Sequence, residues 1–134
     1  MDLMAVVKSF ILCDKILQEI EGGKYSAIGI FDRIGAPAFP CAHGPFGLIL
    51  LITDAHGEYN FVVDLVHIET NQLIARAAFP KFVSSDALNS INVGLQFPRL
   101  EFPSPGRYEF RLSSDGQFIE RRDLELRLVP SAGG

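Results

Sequence analysis

Hydrophobic and polar positions alternate most regularly between Pro105 and Val129. Tyr108, Phe110 and Leu112 alternate with Arg107, Glu109, Arg111 and Ser113, the period-2 pattern of a strand with one face buried and one in water. Asp115-Gly116 then supplies two residues that tolerate positive φ, as a type I′ hairpin turn requires. A two-residue turn there places Leu112 opposite Ile119, Phe110 opposite Arg121 and Tyr108 opposite Asp123. The last two pairings set apolar against charged side chains, and the later run Leu124, Leu126, Leu128 is out of phase with Ile119. One extra residue, a β-bulge within Glu120-Arg121-Arg122-Asp123, restores the register.

Upstream, Met4 to Cys13 reads as a strand apolar on both faces. From Asp14 the chain either runs on extended to a Glu21-Gly22-Gly23-Lys24 turn or forms a short helix with Ile16, Leu17 and Ile20 on one stripe; extended structure is preferred. Tyr25 to Ile34 is a second strand, in which Gly29 marks a bulge or a close backbone approach. Gly35 to Pro45 holds three prolines and reads as the irregular crossover between sheets. Phe46 to Thr53 is a continuous apolar run, a strand buried on both faces, and Asp54-Ala55-His56-Gly57 turns it around. Tyr59, Phe61, Val63 and Leu65 alternate with polar neighbours, and Glu69-Thr70-Asn71-Gln72 makes a hairpin into Leu73 to Phe79. Phe79 to Ala87 is irregular, with a helical turn opening at Ser84 or Ser85 as its one regular alternative. Ile91, Val93, Leu95 and Phe97 form the next half-buried strand, and Ser131 to Gly134 reads as a disordered tail.

About eight strands with turn signals every ten residues or so predict an all-β fold. The architecture expected is a two-layer antiparallel β-sandwich, Ig-like or prealbumin-like, in a single domain over residues 1–130, with at most one short helix. Several stretches together carry a family resemblance: Cys13-Asp14, Gly23 to Ile34, Pro40, His43, and Phe102-Pro103-Ser104-Pro105-Gly106-Arg107-Tyr108-Glu109-Phe110. Over nearly its whole length the chain resembles a family of small uncharacterised bacterial proteins, a domain of unknown function. That resemblance implies an Ig-like sandwich and supplies no catalytic motif.

Size permits such a fold without staples. A chain of 134 residues and 14.8 kDa exposes about 7,000 Å² folded against about 21,000 Å² unfolded. The 48% apolar content with 11 Phe is globular rather than disordered. A net charge of −4 argues against an extended nucleic-acid face, which needs clustered Lys and Arg. The apolar N-terminus lacks a basic n-region and a cleavage site and is interrupted by Lys8 and Asp14, so no signal peptide is read there. No stretch reaches the 18 or so apolar residues of a span, so no membrane partner is expected and a cytoplasmic location is. Cys13 and Cys41 are then reduced thiols, a disulfide being the alternative in an exported chain.

Chemistry is sparse. His43, His56 and His67 are the candidates for a general base or nitrogen ligand, but none sits at ligand spacing from another and no Cys-x-x-Cys occurs. His43 with Cys41 is the nearest approach to a ligand pair, against the plainer reading of a loop histidine beside a buried thiol. Asp64 and His67 point to opposite faces of one strand and form no dyad by themselves. No Gly-x-Ser-x-Gly elbow occurs. Asp32, Asp54, Glu58 and Asp115 sit at turns, too dispersed for a calcium loop. Arg99, Arg107, Arg111, Arg121, Arg122 and Arg127 are balanced one for one by neighbouring acids, which predicts cross-strand ion pairs on a solvated face.

The expectation is therefore a non-catalytic protein-interaction or assembly module without cofactor or metal, taking a protein partner or a second copy of itself and no nucleic acid. Its candidate contact residues are Phe39, His43, Phe46, Phe79 and Phe82, which lie on or beside irregular segments and outside clean core alternation. Those Phe residues otherwise cap the open ends of the sandwich. The alternatives are a small-ligand-binding sandwich and a metal-dependent or hydrolytic enzyme.

Overall fold

The computed structural model describes residues 5–84 and 90–130, and every described element is a strand. In chain order they are β1 (Val6–Gln18), β2 (Tyr25–Ile30), β3 (Arg33–Ala36), β4 (Cys41–His43), β5 (Phe46–Thr53), β6 (Gly57–Tyr59) and β7 (Phe61–His67). There follow β8 (Gln72–Ala78), β9 (Phe82–Ser84), β10 (Ile91–Phe97), β11 (Leu100–Phe102), β12 (Gly106–Ser114) and β13 (Gln117–Leu128). One sheet has the order β10-β5-β1-β2 and the other β3-β13-β12-β7-β8, with the ribbons β11-β4 and β6-β9 beside them. The fold is the expected β-sandwich, antiparallel except where β3 runs parallel to β13.

Its core is what the alternation dictates. Phe10, Leu12, Leu48, Leu50 and Ile52 from the four-stranded sheet are buried with Val63, Leu65, Tyr108, Phe110, Leu112, Leu124 and Leu126 from the five-stranded one. Each such side chain contributes about 1.5–3 kcal/mol by leaving water. The rings of Phe10 and Phe46 lie 6.5 and 5.6 Å from that of Phe110, joining the two layers. Tyr108 is fully buried, yet its hydroxyl is not orphaned: it donates to the Ser104 carbonyl at 2.6 Å and pins the entry to β12.

The hairpin β12–β13 turns on Asp115 (φ 52°) and Gly116 (φ 79°), with Ser114 opposite Gln117. Its bulge exists but falls at Ile119, between Phe118 and Glu120 and one residue earlier than expected. Ile119 is the apolar residue available there, and it packs against the core while Phe118 points away, half-exposed. Beyond it Tyr108 faces Leu124 and Gly106 faces Leu126, the apolar register required.

Several expectations are corrected. The segment after Asp14 is extended, because Lys15–Gln18 pairs with Tyr25–Ile28, so no helix is capped there. The single strand expected over Tyr25–Ile34 is two strands on different sheets. The Phe31 amide donates to Leu12 on the first sheet, whereas the Asp32 carbonyl accepts from Glu125 on the second, so the chain changes layers at that peptide. Gly35–Pro45 does cross back to the four-stranded sheet, but it is not wholly irregular: Cys41–His43, between Pro40 and Pro45, pairs with Leu100–Phe102, between Pro98 and Pro103. Both short strands occupy proline-free gaps, where amides remain to donate. Phe82–Ser84 likewise pairs with Gly57–Tyr59. The helical turn expected at Ser84 or Ser85 falls largely on residues 85–89, and the tail on residues 131–134, both outside the described residues.

Candidate functional site

β1 is longer than β5, so its last residues have β2 on one side and, among the described residues, no strand on the other. The Gln96 side chain fills that place. Its Oε1 accepts from the Ile16 amide at 2.9 Å and its Nε2 donates to the Asp14 carbonyl at 3.1 Å, fixing the backbone on either side of Lys15. Across the β1–β2 pair, Gly29 has φ 72° and the Asp14 carboxylate lies over it. A glycine is needed twice here, for the left-handed backbone and for the absent Cβ.

From this position Asp14 reaches His43 on β4, whose Nε2–H donates to Oδ1 at 2.8 Å. That bond fixes the tautomer of a neutral ring and leaves Nδ1 as an acceptor. The Phe31 and Phe46 rings, with centroids 5.1 and 5.8 Å away, hold the imidazole from two sides. Together Asp14, Gly29, Ile30, Phe31, Arg33, Ile34, Gly35 and His43 line an open groove of about 330 Å³. The groove continues the outer margin of β2, which is an edge strand. Ile28 and Ile30 on β2 are 49% and 65% exposed, and Leu17 on β1 is 45% exposed.

The residues singled out from sequence are only partly brought together. His43 lies in the groove. Phe46 is corrected: it is fully buried, because it opens β5 facing Phe102 and Phe110 in the core, and no partner can touch it in the folded state. Phe39, Phe79 and Phe82 are half-buried against the core edge, and Phe82 lies beside Phe61 with a centroid separation of 6.5 Å. His56 is exposed, and its backbone is clasped by the Tyr59 hydroxyl.

His67 is buried, with Nδ1 2.7 Å from Thr70 Oγ1 and its ring 4.6 Å from that of Tyr108. Its Nε2 comes within 3.3 Å of Glu69 Oε2 but off the line of a hydrogen bond. Asp64 turns to Arg76 on the opposite face. Asp14 and Glu69 are the carboxylates that the sequence did not mark. The one signal was Gly29, whose close approach is to Asp14 itself.

Both cysteines are free thiols. Burial pushes the Cys13 thiol up, with the Asp14 charge adding to it and a backbone bond from Ile28 opposing. Burial alone pushes up Cys41. Among the described residues no three His, Cys, Asp or Glu side chains gather as a metal-holding group.

The outer face of the five-stranded sheet departs from the expected cross-strand pairing. Arg111 bonds Glu109 at 2.9 Å and Arg127 bonds Glu125 at 2.7 Å, each two residues along the same strand, while Arg121 reaches Glu109 across strands at 3.8 Å. Side chains two apart share a face, so these pairs form within the pleat. The Arg127 bond, helped by the charges of Arg127, Arg33 and Arg107, holds the Glu125 carboxyl below its usual range.

A structure of Pseudomonas fluorescens alkylpurine DNA glycosylase AlkC bound to DNA containing an abasic site analog is similar to this chain, with a TM-score of 0.51 and 13% identity. The match covers 92% of this chain but only 30% of the glycosylase chain, so the likeness is one of fold. It corrects the expectation that nucleic acid is excluded, because a chain of this fold occurs within a DNA-bound protein and the total charge of −4 does not describe each face. No curated protein matches. Among the described residues no helix is long and apolar enough to cross a membrane. A family model spans residues 8–127, and the chain belongs to DUF6941, a family of unknown function.

Proposed function

We propose that the protein is a non-catalytic binding module that takes up an extended protein segment along β2. The observation that carries this is the outer edge of β2, which no strand covers among the described residues, which bears the exposed Ile28 and Ile30 and which leads into the Asp14–His43 groove. An added strand gains main-chain hydrogen bonds from the edge, and a pocket beside it selects one side chain. With Asp14, Arg33 and the free Nδ1 of His43 on its walls, the groove suits a polar side chain. The Tyr108–Ser104 bond is of the tyrosine-corner kind and supports an Ig-like sandwich. Two free thiols suit a reducing compartment such as a bacterial cytoplasm.

The test is selection of peptides from a random library on the immobilised protein, followed by hydrogen exchange of the complex. Peptides with alternating apolar residues should emerge, protect the amides of Tyr25–Ile30, and lose binding to an Ile28→Lys/Ile30→Lys variant. Peptides that bind the variant equally well, or that protect amides elsewhere, would refute the reading.

A further inference from the structure

On the outer face of the five-stranded sheet the register brings Arg33, Arg76, Arg107, Arg111, Arg121 and Arg127 together against four acids, in a chain whose total charge is −4. Depth separates the signs further. The Glu109 side chain is 10% exposed beneath Arg111 and Arg121 at 39% and 63%, and Asp64 is 22% exposed beneath Arg76 at 60%. At these two places the short carboxylates stay at the level of the sheet while the long guanidinium stems rise past them, so a partner meets the guanidinium groups of Arg76, Arg111 and Arg121 first.

These ion pairs do not exhaust the donors. A guanidinium carries five N–H groups, and Arg76 spends two on Asp64. Arg107, exposed on β12, forms no ion pair among the described residues and borders a groove of about 320 Å³ with Arg33 and Arg122. Three acids line the same groove: Asp32, Asp123 and Glu125, the last opposite Arg107 in the register and held by Arg127. The bulge at Ile119 leaves Phe118, 53% exposed, opposite Ser113 on the same face, next to the Arg111–Arg121 row.

We propose that this face binds single-stranded nucleic acid, its arginines on successive phosphates and Phe118 under a base. Guanidinium forks match phosphate oxygens, and a sequence-tolerant strand site combines such donors with an exposed aromatic ring. The face belongs to the sheet that does not contain β2 and shares Arg33 alone with the lining of the β2 groove; Arg33 is unchanged in every variant below, so failure here leaves the strand-binding reading untouched.

The experiment is fluorescence anisotropy of a labelled oligothymidylate of about 20 nucleotides titrated with the whole chain across a salt series starting from about 50 mM. About four phosphate contacts give a slope of log K against log salt near roughly −3. Arg107→Glu should weaken binding about tenfold and Phe118→Ala about fivefold. Lys24→Glu, in the β1–β2 turn, should stay within about twofold, since a remote rim charge adds only screened attraction. Thermal melting confirms that each variant is folded, and Arg107→Lys should retain part of the affinity. No binding at the lowest salt, an equal loss in Lys24→Glu, or tighter binding to phosphatidylserine vesicles than to the oligonucleotide would each overturn the proposal.

Discussion

Asp14 lies over Gly29 across the β1–β2 pair, close enough that a Cβ at 29 would stand 2.5 Å from its Oδ2 and 3.0 Å from its Cγ. The same relationship recurs on the other sheet, where Glu69 lies over Gly106 (φ 130°) beside His67. In both places a carboxylate reaches a histidine by crossing a residue that has no side chain. The two glycines thereby couple backbone geometry to the placement of the only two carboxylate–imidazole contacts among the described residues.

Gly29→Ala should therefore have two separable effects. Holding alanine at φ 72° costs about 1–2 kcal/mol, read as a lower midpoint in urea. The new methyl also turns Asp14 away, and the Nε2–Oδ1 bond of 2.8 Å is lost. NMR of the His43 ring should then show a mixture of tautomers instead of one. An unchanged ring spectrum would show that Asp14 is not held by the absence of a side chain at 29.

Tyr108→Phe removes one hydroxyl and nothing else from a fully buried site. It leaves the Ser104 carbonyl without its 2.6 Å donor, so a loss of about 1–2 kcal/mol is expected in a denaturant titration. Burial, the largest influence on it, pushes the Tyr108 hydroxyl above its ordinary range against the opposing Ser104 bonds, so the group stays protonated and donating well into alkaline solution. A Phe variant as stable as the parent would mean that the entry to β12 is set by packing alone.

The position of the bulge makes a contrast between two deletions. Removing Ile119 leaves Ser113 opposite Phe118 and Leu112 opposite Glu120, so the hairpin keeps its faces and loses only one half-buried side chain. Removing Arg122 instead shifts Leu124 and Leu126 to the outer face. The first variant should fold with about 1–3 kcal/mol less stability, while the second should fail to give a cooperative transition. Equal behaviour of the two by circular dichroism would place the bulge elsewhere.

How much of this was legible follows from what each residue type constrains locally. The β12–β13 turn was readable because Asp115-Gly116 and strict alternation specify backbone and face together. The expected position of the bulge is one residue late because Glu120-Arg121-Arg122-Asp123 is polar throughout and carries no phase. Phe46 follows a proline-rich stretch and so looked peripheral, whereas it begins a strand and enters the core at once. The Asp14–His43 pair spans 29 positions and depends on the change of sheets at Phe31–Asp32, which no local pattern records. The arginines were visible, but only the register shows which face they share and which acids lie beneath them.

The thiols give a prediction about pH. Cys13 and Cys41 are both pushed above the ordinary value of 9.0, chiefly by burial. The folded chain thus holds these protons more tightly than the unfolded chain, and the sign follows. Their contribution to stability is complete below about pH 9 and is lost as pH rises through the higher folded values. The urea midpoint should fall across that alkaline window, and a Cys13→Ala/Cys41→Ala variant should lose less over the same range. At pH 8 Cys41, half-buried, should react with Ellman's reagent more slowly than an unfolded-chain thiol, because less of it is thiolate. Cys13, with no exposed surface, should react only at the rate at which the β1–β5 pair opens. Reaction of both at the rate of the urea-unfolded chain would mean that neither thiol is held in the sandwich as described.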